Sequence, residues 1–237
     1  MSFNEKHQEA IEYARQQNYE ESVKKLKELL NSTKDNIEKS ACLISIGKVI
    51  GMQSLGTVEY SRRITTGPAA KISFDNELFN EALKYFDKAI EIKPDSSLAY
   101  ENKALTLSRK GDYEDAIKNG LTAVEINPSN WTVINNMVKW YKDLEKFSEA
   151  ILYSKNILHN TGKIIRQYEK NPSPFNKNSM VCITGTLLNK AVAQYNLKDK
   201  KCLAIIKNAI DITQKYNLGS TKDLEEILDG MKKNFQI

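Results

Sequence analysis

Asparagine is the residue through which this chain could do its most specific chemistry. Asn102 and Asn136 stand 34 positions apart in stretches with helical periodicity. A side-chain amide offers a donor and an acceptor together, the pair that a peptide unit of another chain needs. On the helix beginning at Trp131, Val133, Ile134, Met137, Val138, Tyr141 and Leu144 fall on one side. Thr132, Asn135, Asn136, Lys139, Lys142 and Asp143 fall on the other, at spacings that keep them neighbours. The preceding helix carries Leu98, Glu101, Asn102, Leu105 and Arg109 in a matching strip. Groups suited to catalysis are isolated by comparison. His7 and His159 have no Cys, Ser or carboxylate at motif spacing. The string GPAAKIS, residues 67–73, lacks the Gly-x-x-x-x-Gly-Lys-Ser/Thr order of a phosphate loop. Cys42, Cys182 and Cys202 are far apart and odd in number, so buried reduced thiols are expected and not disulfides or a zinc site. Neither an enzyme nor a cofactor site is expected.

The elements that must position these asparagines repeat. Ala82, Ala116 and Ala150 are spaced by 34 residues, as are Phe79, Tyr113 and Phe147, then Glu81, Asp115 and Glu149, then Leu83, Ile117 and Ile151; Pro94 pairs with Pro128 in the same way. That period holds two helices and two tight turns, and such a pair buries its apolar face only by stacking on its neighbours. The reading is one all-α solenoid over 1–237, with helix pairs at about 3–34, 37–94, 97–128, 131–162 and 180–216 and a capping helix at about 221–233. The second pair holds an insertion at about 53–76, after which Asp75 or Asn76 caps the next helix. Residues 171–179, with Pro172 and Pro174, read as a linker that stops any helix. Ser220 and Asp223 suggest a capping box for the last helix.

These residues resemble tetratricopeptide repeats. Tyr100, Ala104, Leu107, Gly111, Tyr113, Ala116, Ala123 and Pro128 follow the family pattern in the third pair, and Leu43, Ile46, Gly47, Ile50, Ala82, Phe86, Ala89 and Pro94 follow it around the insertion. The fourth pair keeps Tyr141, Phe147 and Ala150 but has Gly162 where Pro is usual; the first and fifth match more weakly. The resemblance implies a right-handed superhelix of antiparallel helix pairs, with the first helix of each pair lining a concave groove. It implies a peptide-binding strip of Asn102, Arg109, Asn135, Asn136, Lys139, Lys142, Asn189 and Lys190, because Asn102 and Asn136 occupy a motif position where some members hold an extended peptide backbone. The family's clamp for acidic C-terminal tails is matched only at Asn102, since Ile44, Lys48, Thr132 and Asn136 stand at its other positions.

Hydrophobic residues make up 41% of the 237, enough for a continuous core. No apolar run of about 18 residues is present, and charges occupy the N-terminal stretch, so a cytoplasmic protein without a membrane span is expected. The net charge is +5, and the lysines alternate with glutamates along helices, which argues against nucleic acid as the partner. The expected role is a scaffold holding a neutral to acidic peptide or helical segment of another protein. Self-assembly into a homo-oligomer, or capture of acidic C-terminal tails, are the alternatives.

Overall fold

The computed structural model describes residues 1–54 and 75–236, and every regular element among them is an α-helix. In chain order these are α1 (Phe3–Arg15), α2 (Tyr19–Ser32), α3 (Asn36–Gln53), α4 (Asn76–Ile92), α5 (Ser97–Lys110), α6 (Tyr113–Ile126), α7 (Trp131–Asp143), α8 (Phe147–Lys170), α9 (Pro174–Asn196), α10 (Lys201–Lys215) and α11 (Lys222–Asn234). The starts of α1 to α5, α7 and α9 follow from side chains that satisfy orphan backbone donors. Asp35 Oδ1 accepts from the amides of Ile37 and Glu38, and Asp75 Oδ1 from those of Glu77 and Leu78. Ser2 and Glu5 form a reciprocal capping box on α1. The turns after α1, α5, α7 and α9 each contain one residue of left-handed backbone, at Gln17, Gly111, Glu145 and Lys198. One turn geometry thus recurs at the bend inside four of the five pairs. No helix among the described residues is long and apolar enough to cross a membrane.

The chain forms two compact units, Met1–Asp115 and Ala116–Ile237. In the first, α3 is the central helix and packs on α1, α2, α4 and α5. Residues 42–47 of α3 are buried without interruption, so its apolar surface wraps the helix and forms no single stripe. Ala10, Ala82, Ala89 and Ala99 are all 0% exposed, and their small side chains let the axes approach. Gly47 is the tightest point: a Cβ there would lie 2.7 Å from Cε1 of the buried Phe86 ring. The expected insertion falls mostly on residues 55–74, outside the described residues. At its margins the Asp75 amide donates to the Ser54 carbonyl at 3.0 Å, so the chain re-enters beside the point where it left.

The second unit has two adjoining cores. Ile134, Ile157, Ile164, Met180 and Ile183 bring α7, α8 and α9 together. Ala191, Cys202, Ile206, Leu228 and Met231 join α9 and α10 to α11, where Tyr195 meets the Phe235 ring edge-on at 5.5 Å. The amphipathic α11 covers the end of this stack, as a capping helix should.

Several local expectations are corrected. The helix α9 begins at Pro174 and not near 180, and the linker shrinks to Asn171–Ser173. Pro at the first helical position sacrifices no hydrogen bond, because that amide has no intrahelical acceptor, and Ser173 caps the helix through the Asn176 amide. The Ser220–Asp223 capping box does not form; α11 starts after Thr221, and the Ser220 hydroxyl accepts from the Lys222 amide. The three cysteines are free and buried.

His7 is half-buried against α3 and not exposed. Its Nε2 lies 3.0 Å from Ser45 Oγ, and its ring stacks on Phe3 at 5.7 Å. Burial, its largest influence, holds the imidazole below its ordinary 6.5, and the charge of Lys48 adds to the lowering while a backbone contact with Ala41 opposes it. The unfolded chain therefore binds this proton more readily. The stabilising contribution is whole above about pH 6.5 and is lost as pH falls through the folded-state value.

Two outcomes are expected. Thermal melts from neutral pH to below 6.5 should show the wild type losing more stability than His7→Gln; parallel curves would remove His7 from the linkage. Gly47→Ala should destabilise by about 1–3 kcal/mol through overpacking against Phe86. Gly230→Ala, where nothing lies within 4 Å in another helix, should be neutral or stabilise by up to about 1 kcal/mol. Urea melts giving equal shifts would mean that α3 and α4 are not packed as described.

Candidate functional site

The first helices of the last two pairs, α7 and α9, lie side by side in the second unit. Asn178 Nδ2 donates to Thr132 Oγ1 at 3.2 Å, and Cys182 Sγ lies 4.0 Å from the same oxygen. One turn along α7, Asn135 Oδ1 accepts from Thr186 Oγ1 at 3.0 Å. The contacts advance in the same direction on both helices, so the two run parallel. Gly185 makes the approach possible, since a Cβ there would lie 3.1 Å from Asn135 Oδ1.

Asn135 is therefore a bridge between helices, with its oxygen committed. Asn136, next along, is half-buried and its amide has no side-chain hydrogen-bond partner among the described residues. A further turn on stand Lys139, exposed and in no ion pair among the described residues, and Asn189 on α9, half-buried and without a side-chain hydrogen-bond partner among them. Asn136 and Lys139 follow the Asn135–Thr186 bridge on α7, and Asn189 follows it on α9. Lys142 is engaged by Asp143 at 3.0 Å. Lys190 turns towards α8 instead: burial first, and then the positive charge of Lys155, pull it below the ordinary lysine value. At the same end of α7, Tyr141 stacks on Tyr153 of α8 at 5.0 Å, and burial ahead of that neighbour pushes its phenol up to about 12.

Asn102 and Arg109 lie on α5 in the first unit. Arg109 is exposed, although partial burial of its guanidinium pulls it below the ordinary arginine value. Asn102 does not face water: it is 6% exposed, and its Nδ2 donates to the Leu98 carbonyl at 2.7 Å, one turn back on its own helix. Thr186 and Gly185 are the residues that sequence reasoning missed. Asn135 and Thr186 are 51 residues apart and not 34, because the 24-residue α8 and the start of α9 add length that the period does not contain.

Stacked helix pairs with parallel first helices and an amide-lined face define a helical-repeat binding scaffold. Residues 85–118 and 69–96 each match a tetratricopeptide repeat. Residues 69–118 of the chain thus carry tetratricopeptide repeats. Among curated proteins, "Protein STIP1 homolog" of Dictyostelium discoideum is 33% identical over 80 residues, which span 33% of this chain and 14% of that protein. The fold is similar to that of MamA from Desulfovibrio magneticus RS-1, with a TM-score of 0.58 and 13% identity over 90% of this chain and 96% of that one. A Podosopora anserina putative kinesin light chain with TPR-like repeats gives a TM-score of 0.60 and 12% identity over 91% of this chain and 96% of that one. At such identities the likeness is one of fold.

The bridge can be tested directly. Asn135→Ala and Thr186→Val should each destabilise, and a double-mutant cycle in urea should return a coupling of about 0.5–1.5 kcal/mol. Additive effects would mean that the two side chains do not meet.

Proposed function

We propose that the protein is an interaction scaffold that holds a peptide segment of a partner along α7 and α9, partly through the peptide's backbone. The single observation that supports this most is the pair of half-buried, unpartnered amides at Asn136 and Asn189, flanked by amides that are already committed. Side chains held by packing lose little further freedom on binding, so their hydrogen bonds to a peptide unit are retained as affinity. Among the described residues Lys139 has no ion-pair partner, whereas Asp143 is neutralised by Lys142. A neutral to acidic segment fits that balance, with charge acting more on association rate than on affinity. The reading as a clamp for acidic C-terminal tails has less support: Ile44, at a position where that pattern has Lys, is 4% exposed, and Asn102 is buried. A cytoplasmic setting accords with three free buried thiols.

The test begins with a peptide selected from a displayed library on the wild-type protein, its affinity measured by fluorescence anisotropy. Asn136→Ala and Asn189→Ala should each weaken binding by about 0.5–1.5 kcal/mol. Lys139→Glu should weaken it further, more at low salt than at high salt. Methylating the peptide's backbone nitrogens should abolish binding. An affinity that none of these changes alters would overturn the assignment to α7 and α9.

A further inference from the structure

Charge is divided unequally along this chain. Residues 116–237 hold 18 of the 35 Lys and Arg but only 11 of the 30 Asp and Glu. Within them, 147–215, which spans α8 to α10, has 11 basic residues against four acidic ones, and none of these charges enters an ion pair among the described residues. Elsewhere some lysines are matched, as in Lys25–Glu9, Lys103–Asp87 and Lys232–Asp229.

On α8 the excess becomes a line. Lys155, His159, Lys163, Arg166 and Lys170 follow one another by four, four, three and four residues, and all five are exposed. At 3.6 residues per turn they fall within roughly 80° of the helix circumference and extend over about 22 Å. No carboxylate shares that face: Glu169 points elsewhere and accepts from Tyr216 Oη at 2.8 Å. Leu152, 58% exposed, stands in line with the first of them.

We propose that this face of α8 docks an acidic helix of a partner protein, with Asp or Glu at one-turn spacing and an apolar residue that meets Leu152. The pitch carries the assignment. Cations placed one turn apart on a straight helix are matched by carboxylates at i, i+4, i+7 and i+11 of a second helix laid beside it. A single nucleic-acid strand would call for aromatic stacking platforms, and the line contains none. Base reading in a duplex groove is dominated by Arg, of which there is one. This surface is independent of the strip on α7 and α9.

The probe is a synthetic helical peptide with Glu at i, i+4, i+7 and i+11 and Leu at one end, beside its all-Gln counterpart, a DNA duplex and phosphatidylserine vesicles. The Glu peptide should bind the full chain at low salt at least about tenfold tighter than the Gln peptide and lose affinity as salt rises. Lys163→Glu with Arg166→Glu should abolish most of that binding. The same charge change at Lys84 and Lys88 on α4, or Asn136→Ala on α7, should leave it intact, and circular dichroism should show unaltered helicity. Lys155→Gln with Lys170→Gln gives a milder loss in a variant with no charge reversal. Equal binding of the Glu and Gln peptides, or of wild type and the α8 variants, overturns the proposal. So does tighter α8-dependent binding of the duplex or the vesicles.

Discussion

A helix pair cannot bury its own apolar face, and everything else in this molecule depends on how closely one helix can approach the next. That approach is set by residues with almost no side chain. Gly47 lets the Phe86 ring lie where a methyl group would stand, and the fully buried alanines at 10, 82, 89 and 99 keep the neighbouring axes close. Van der Waals attraction falls steeply with separation, so widening these contacts by an ångström would forfeit much of what holds the first unit together. The polar faces are positioned by the same economy. Gly185 brings α9 near enough for Thr186 to reach Asn135, and that bridge orients the amides beside it.

The architecture was legible because the period is dictated by backbone geometry. Two helices of about fourteen residues and their turns fill 34 positions, and the alanine, aromatic and proline series expose that length without knowledge of any contact. Where the chain departs from the period, sequence reasoning loses phase. The long α8 shifted everything beyond it, so the partner of Asn135 could not be found by adding 34. Pro174 misled for a different reason: proline breaks a helix from within but is at home at its start, and only the Ser173 cap distinguishes the two cases.

Within the candidate strip, helical phase does not give the depth of a residue. Asn136, Lys139 and Asn189 stand at accessible positions on parallel helices, whereas Asn102, in the same repeat position as Asn136, is turned back onto Leu98 and buried. Periodicity states which way a residue points but not how near the neighbouring helix stands. His7 shows the same limit, since its half-buried contact with Ser45 depends on the separation between α1 and α3. The α8 line escaped for a statistical reason: over the whole chain 35 basic residues stand against 30 acidic ones, and only separating the units shows where that near balance fails.

The hydrogen bond from the Asp75 amide to the Ser54 carbonyl has an evolutionary consequence. It closes the second pair at the base of its insertion, so the helices on either side are joined whatever lies between. Closing a loop costs free energy that grows only with the logarithm of its length, about 0.6 kcal/mol for each doubling. The repeat can therefore accept sequence of almost any length at this one place without shifting its own register. A fold built on strict periodicity thereby gains a position where length can change while the packing around it stays the same.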